Sequence, residues 1–165
     1  RKYLNGGHQE RNRRAGTENV ACIVGLAKAL IISYENLEEN NNRTIELRNY
    51  FINEIKKNIE GVKINGDLIK RLPGNISISF EFVEADNILH ELDEKGIYIS
   101  TGSACTTGSI ESSHVLKAIG LSDTVAHSTI RISIGKYNSQ EDMDYTIKCL
   151  IDVVDKLRKL SPLYC

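Results

Sequence analysis

The chain has 165 residues, a formal net charge of −1, 41% apolar residues and 26% charged residues. Such a length supports one domain with a real core, or one domain and a piece of another, and the proportions are those of a globular chain. The near-neutral balance sets up no global field towards nucleic acid or membrane, no apolar run approaches the roughly 20 residues of a membrane span, and no stretch reads as a signal peptide or low-complexity tract.

The chain begins at Arg1 and its single methionine is Met143, which reads as a processed chain or a piece of a longer one. Cys22, Cys105, Cys149 and Cys165 are widely spread and form no C-x-x-C pair. That spacing points to reduced thiols in a cytoplasm rather than to a disulfide framework or a zinc site.

In chain order, residues 1–16 are polar and arginine-rich and contain Gly6-Gly7. Helical character is expected from Thr17, through Val20, Ile23, Val24, Ala27 and Leu30, to about Glu35. The Asn-rich stretch from Asn36 to Asn42 is expected to break or bend the chain. A second helix follows, with Leu47, Phe51, Ile55 and Ile59 at helical spacing, and Gly61 as its stop. Val62 and Ile64 alternate before a Gly66-Asp67 turn. Ile76, Ile78, Phe80 and Phe82 alternate with Ser77, Ser79 and Glu81, the period of a half-buried strand. A helix carrying Ile88, Leu89 and Leu92 ends near Gly96, and Ile97–Ser100 reads as a short strand.

The stretch Ser100–Ser113 holds eight Ser/Thr and two Gly in fourteen residues and is expected to be a mobile loop, poorly ordered in a crystal. A short helix from Val115 to Ile119 stops at Gly120. Thr129–Ile134 reads as another strand, with Ile130, Ile132 and Ile134 on one face. Ser139-x-x-Asp142 has the form of a capping box. It opens a last helix whose seam runs Met143, Ile147, Leu150, Val154, Leu157. The expected class is α/β with an α+β-like character: a small mixed or antiparallel sheet covered by helices, preceded by a helix from another domain.

Three places can carry chemistry. Cys105 stands in S-T-G-S-A-C-T-T-G-S, where a thiol is either a reactive group near a cation or amide cluster, or an ordinary loop cysteine. Cys22 and Cys149 lie in apolar helical contexts and are expected to be buried packing residues. Arg131 alternates with Ile130 and Ile132, so it belongs to the opposite face beside Thr129 and Ser133. There it is either solvated or presents its planar fork to a carboxylate. Arg11, Arg13, Arg14, Gly16 and Thr17 precede a helix, which suits either a simple cap by Thr17 or an anion at the helix start. His8, His90, His114 and His127 show no metal-ligand spacing, and no metal site is expected.

These segments resemble the cysteine desulfurases of the NifS/IscS type. The resemblance is carried by G-G-H-Q-E-R-N-R-R-A-G-T-E-N (Gly6–Asn19), S-T-G-S-A-C-T-T-G-S (Ser100–Ser109), S-T-I-R-I-S-I-G (Ser128–Gly135) and L-R-K-L-S-P-L-Y (Leu157–Tyr164). It covers nearly the whole chain, and the cysteine motif matches the long-loop group of that family. It implies the C-terminal part of a fold type I, class V aminotransferase-like enzyme that uses pyridoxal 5′-phosphate. Residues 1–36 would be the tail of the large cofactor-binding domain with its last helix, and residues 37–165 the C-terminal small domain.

The resemblance further implies that Cys105 is the nucleophile and persulfide carrier, that Arg131 holds the substrate α-carboxylate, and that Thr17 contacts the cofactor phosphate. The implied partners are L-cysteine, a second copy in a homodimer, and an iron-sulfur scaffold protein or another sulfur acceptor. Two family features are absent from these residues: the Schiff-base lysine in an S-x-H-K context, and the histidine that stacks on the cofactor ring. The 165-residue chain alone is therefore expected to be inactive. Asn12 replaces a glycine common in the family, and asparagine tolerates a left-handed backbone. The competing reading is a cofactor-free sulfur-carrier or scaffold-binding module that uses the same cysteine. A third is a degenerate relative with only a structural role.

Overall fold

The computed structural model describes residues 2–102 and 112–162. Its elements are α1 (Val20–Glu35), α2 (Leu37–Asn58), β1 (Val62–Ile64), β2 (Asn75–Phe80), α3 (Ala85–Asp93), β3 (Ser100–Thr101), α4 (His114–Ala118), α5 (Asp123–His127), β4 (Thr129–Ser133) and α6 (Gln140–Leu160). The chain divides into two compact units, Arg1–Glu38 and Glu39–Cys165.

In the first unit, a short turn at Glu10–Asn12 places three successive residues in the left-handed region, with φ of +48°, +53° and +66°. Asn12 adopts the conformation anticipated for it. The first helix starts at Val20, later than Thr17. Asn19 is its cap, and its Oδ1 accepts from the Cys22 amide at 3.2 Å. Asparagine is the stronger cap, so it sets the boundary and leaves Thr17 outside the helix. No residue of α1 is buried, and its apolar side chains Val20, Val24, Leu26 and Leu30 stand open. Cys22 is correspondingly exposed rather than packed.

The Asn-rich stretch bends the chain as expected, but only at its first residue. Only Asn36 interrupts the helices, and Asn40–Asn42 lie within α2. The stripe Leu47, Phe51, Ile52 and Ile55 buries against the core. That burial outweighs the weak helix propensity of three asparagines.

The second unit is built on a four-stranded sheet in the order β1-β2-β4-β3, antiparallel throughout. Ile76 pairs with Ile132 and Ile78 with Ile130, which puts the isoleucines of the two central strands on one face. That face meets Phe51 and Ile55 of α2, Ile88 and Leu92 of α3, and Leu150 and Val154 of α6 in one apolar cluster. The architecture is therefore the small antiparallel sheet covered by helices that the residue pattern suggests.

Strand β2 stops at Phe80, short of Phe82. Phe82 has φ +65° and is 47% exposed, because the chain leaves the sheet there to enter α3. The strand around Ile97–Ser100 is shifted to Ser100–Thr101. Helix α5, with its cap Ser122, lies between Gly120 and the strand, where no element was expected. Five residues are too few for a helical period to show.

Two local devices hold the register. A Cβ on Gly74 would lie 2.1 Å from the Ile134 carbonyl oxygen, so only glycine lets the chain pass there. The capping box of α6 is complete: Ser139 Oγ accepts from the Asp142 amide at 3.2 Å, and Asp142 Oδ2 from the Ser139 amide at 2.9 Å. At the far end of α6 the buried Arg158 donates to the carbonyls of Glu81 at 3.1 Å and Glu60 at 2.7 Å. These bonds tie the helix to the ends of α2 and β2. Among the described residues no single helix is long and apolar enough to cross a membrane.

The core analysis yields a stability test. Phe51 is fully buried, so Phe51→Ala should cost about 3–5 kcal/mol. The exposed Ile69→Ala should stay within about 0.5 kcal/mol of wild type. Urea unfolding of the two variants, followed by circular dichroism, measures the difference.

Candidate functional site

Alternation on β4 gives the site its floor. Ile130 and Ile132 are buried, while Arg131 and Ser133 are exposed on the opposite face. Antiparallel pairing places Ser77 of β2 on one side of Arg131 and Ser100 of β3 on the other. Directly opposed residues point to the same face, so the guanidinium rises from a row of hydroxyl side chains. Arg131 makes no hydrogen bond or ion pair with the described residues, so its fork is available to an anion. An arginine carries its charge at any physiological pH and offers parallel donors that fit a carboxylate.

Thr129 lies on this face as expected, yet it is 1% exposed. It belongs to a buried polar chain. Thr129 Oγ1 donates to the Val125 carbonyl at 2.6 Å. With that hydrogen spent, Ser79 Oγ donates to Thr129 Oγ1 at 2.7 Å and accepts from Asn65 Nδ2 at 2.8 Å. Asn65 Nδ2 also reaches Ser77 Oγ at 3.3 Å, which leaves the Ser77 hydrogen free. These hydroxyls link β1, β2, β4 and α5 beneath the exposed row. The serines at alternate positions of β2 were the only sign of this chain in the sequence. Their partners become visible only with the register.

Thr17 lies in the first unit, exposed, three residues before α1. The amide of Cys22 at the helix start is taken by Asn19, and that of Val20 by the Glu18 carbonyl at 3.0 Å. Arg14 is occupied as well, donating to Glu18 and to the carbonyls of Ala15 at 3.3 Å and Gly16 at 3.1 Å. The Thr17 hydroxyl stands beside the unobstructed backbone of Gly16, whose nearest neighbour to a Cβ would be Arg14 Nη1 at 3.7 Å, and the exposed Arg11 and Arg13 side chains lie on the same segment. Cys105 and most of its Ser/Thr-rich stretch lie outside the described residues, as does the expectation of a mobile loop there. Cys149 is buried in α6, as a packing cysteine should be.

An open apolar cavity of about 840 Å³ is lined by Phe82, Val83, Val125, Leu157, Leu160 and Pro162 among others. None of Arg131, Ser77 or Ser100 lines it, so its size does not mark the chemistry. No group of three or more His, Cys, Asp or Glu among the described residues could hold a metal ion.

Comparison with known proteins gives the chain a family. The model of the class-V aminotransferases matches residues 3–146, and the chain belongs to that family. Within it, the chain is 46% identical over 159 residues to the cysteine desulfurase IscS of Dictyoglomus turgidum, covering 96% of this chain and 40% of that protein. It is 44% identical over 160 residues to the cysteine desulfurase IscS of Methanosarcina thermophila, covering 97% and 39%. Among solved structures it is similar to a NifS-like protein with a TM-score of 0.81 at 34% identity, over 94% of this chain and 39% of that one. A NifS-like protein from Rickettsia africae gives the same TM-score at 30% identity, over 94% and 40%. The chain thus spans about 40% of the length of the relatives it matches.

The geometry separates the arginine from the fold. Arg131→Ala should change stability by less than about 0.5 kcal/mol, since an exposed, unpartnered side chain is removed. Thr129→Val should cost about 1–3 kcal/mol, because it leaves the buried Ser79 hydroxyl without its acceptor. Thermal unfolding of both variants checks the contrast.

Proposed function

We propose that this chain is the C-terminal part of a cysteine desulfurase. In its full-length form that enzyme takes sulfur from L-cysteine, releases L-alanine and leaves a persulfide on Cys105. The observation that carries the proposal is the unpartnered Arg131 fork on the hydroxyl-lined face, in a chain 46% identical to a cysteine desulfurase over nearly its whole length. In this reading Arg131 holds the α-carboxylate of cysteine, and Thr17 contacts the phosphate of pyridoxal 5′-phosphate. The cofactor, bound through a lysine outside this chain, supplies an electron sink for the substrate carbon.

The transfer balances without an added oxidant or reductant. The Cys105 thiolate forms an S–S bond to the substrate sulfur as the substrate C–S bond breaks. The electron pair stays on carbon, which takes up a proton to give alanine, and Cys105 keeps the sulfur as a persulfide. The thiolate is the required form, because the thiol is the weaker nucleophile.

Residues 1–36 are read as the tail of a large cofactor-binding domain and 37–165 as the small domain. The compact-unit boundary after Glu38 and the uncovered apolar surface of α1 support this, since a helix apolar all round belongs inside a larger core. The full-length enzyme is proposed to act as a cytoplasmic homodimer that passes sulfur to an iron-sulfur scaffold or another acceptor. The 165-residue chain alone is proposed to be inactive. A cofactor-free carrier module is not favoured, because the relatives are named as desulfurase enzymes over the same residues.

Two substitutions in the full-length enzyme test the roles. Cys105→Ser should retain the cofactor's visible absorbance and form no persulfide. Sulfur transfer at the wild-type rate by that variant would refute the role of the thiol.

Arg131→Ala should lower kcat/KM for cysteine roughly tenfold to a hundredfold, because hydrogen bonds to a charged group contribute about 1.5–3 kcal/mol. Arg131→Lys should recover only part of the loss, since an ammonium lacks the fork. Steady-state alanine release measures both, and wild-type kcat/KM in the alanine variant would show a merely solvated arginine.

A further inference from the structure

The two strands beside β4 do not stand in the same relation to Arg131. In β2, Ser77 turns its backbone towards β1, where its carbonyl accepts from the Asn65 amide at 2.9 Å. The alternate residues of β2 turn to β4 instead, as the Phe80 amide does in donating to the Ser128 carbonyl at 3.0 Å. Ser77 and Arg131 therefore face each other without ladder bonds between them. In such a pair the Cα atoms come to about 4.5 Å and the side chains are closest together. The same two strands show the reach of this pairing two residues along, where Ser79 Oγ lies 2.7 Å from Thr129 Oγ1. Arg131 turns its own backbone to β3, so Ser100 is the wider neighbour, at about 5.5 Å between Cα atoms. The Ser100 hydroxyl also donates to the Thr101 carbonyl at 3.4 Å.

The direction of the buried hydroxyl chain is fixed from one end. The Val125 carbonyl can only accept, so Thr129 donates to it, Ser79 donates to Thr129, and Asn65 Nδ2 donates to Ser79. That order orients the Asn65 amide. Its second Nδ2 hydrogen goes to Ser77 Oγ at 3.3 Å, while its Oδ1 is buried without a partner. Ser77 is thereby held as an acceptor. No described residue takes its hydrogen, and the side chain is only half-buried, on the face where Arg131 is exposed.

We infer that Ser77 is a second substrate-binding residue, whose hydroxyl donates to the α-carboxylate that Arg131 grips. The inference rests on Arg131 holding that carboxylate. A carboxylate accepts at roughly four lone-pair positions, and the fork of one arginine takes two, so an oxygen stays open to a hydroxyl. The arginine stem is long, whereas a serine hydroxyl stands close to its strand. A carboxylate shared by the two is seated against the sheet instead of out at the tip of the stem. Arg131 supplies the charge, and Ser77 sets where the substrate lies.

The experiment uses the full-length, cofactor-loaded enzyme and follows steady-state alanine release. Ser77→Ala should raise KM for cysteine roughly threefold to tenfold, with kcat and cofactor absorbance close to wild type, because it removes a contact made equally to the substrate and the transition state. Ser77→Thr keeps the donor and should keep most of the affinity. Added to Arg131→Ala, Ser77→Ala should cost less than about twofold more, because the carboxylate it serves is no longer seated. Wild-type KM in Ser77→Ala, with kcat/KM lowered in Arg131→Ala, overturns this inference alone. So does a Ser77→Ala loss that persists undiminished beside Arg131→Ala, or one that comes with a lowered thermal midpoint and an unchanged KM, since either makes the hydroxyl a structural group. Wild-type kcat/KM in Arg131→Ala overturns the parent reading, and the inference falls with it.

Discussion

The pairing register between β2 and β4 is the constraint on which the rest depends. Ile76 faces Ile132 and Ile78 faces Ile130, so four isoleucines share one face, and Ser77 faces Arg131 on the other. A slip of one residue would drive the Arg131 guanidinium into the apolar cluster and lift the isoleucines into water. Burying an unpaired charge costs far more than any ladder bond returns. The helices α2, α3 and α6 therefore do more than cover the sheet. By demanding apolar side chains on their side, they dictate which groups stand on the other.

Much of this could be read before the structure. The alternation of β2 and β4, the seam of α6 and its capping box are strong local patterns, and each element lies where its pattern put it. So does the outward face of Arg131, which follows from period-two geometry alone. The failures have particular causes. Thr17 lost the helix start to Asn19, two residues on, because both are good caps and only the actual bond to the Cys22 amide decides. The break or bend expected across Asn36–Asn42 is confined to Asn36, because tertiary burial of the α2 stripe carries the helix through Asn40–Asn42. Phe82 continued an alternation that a left-handed backbone had already ended. Helix α5 was too short to show a period. The site's hydroxyl neighbours, Ser77 and Ser100, needed strand pairing, which no single-segment pattern contains.

Helix α1 shows the same dependence on context from the opposite side. Its sequence is apolar around the whole circumference, which predicts burial, yet the described residues bury none of it. Cys22 follows suit: expected to be a buried packing residue, it is exposed on this helix. The chain matches about 40% of the length of its relatives.

Stability and chemistry are separated on one strand because its residues alternate. Every second residue of β4 answers to the core, and those between are free to differ. Arg131 and Ser133 can therefore be changed with little cost to folding. The separation is not complete, however. Thr129 and Ser79 sit on the polar face but are buried, and they are tolerated only because each hydroxyl has a donor and an acceptor in a single direction from Asn65 to the Val125 carbonyl. That chain ends on α5, and Ser112 is bonded to Asp123 of the same helix. The strand that carries the arginine and the stem that follows Cys105 are thus fastened to one short helix. That helix, α5, is five residues long and invisible to periodicity, yet it fastens both β4 and the segment that enters α4 to one place.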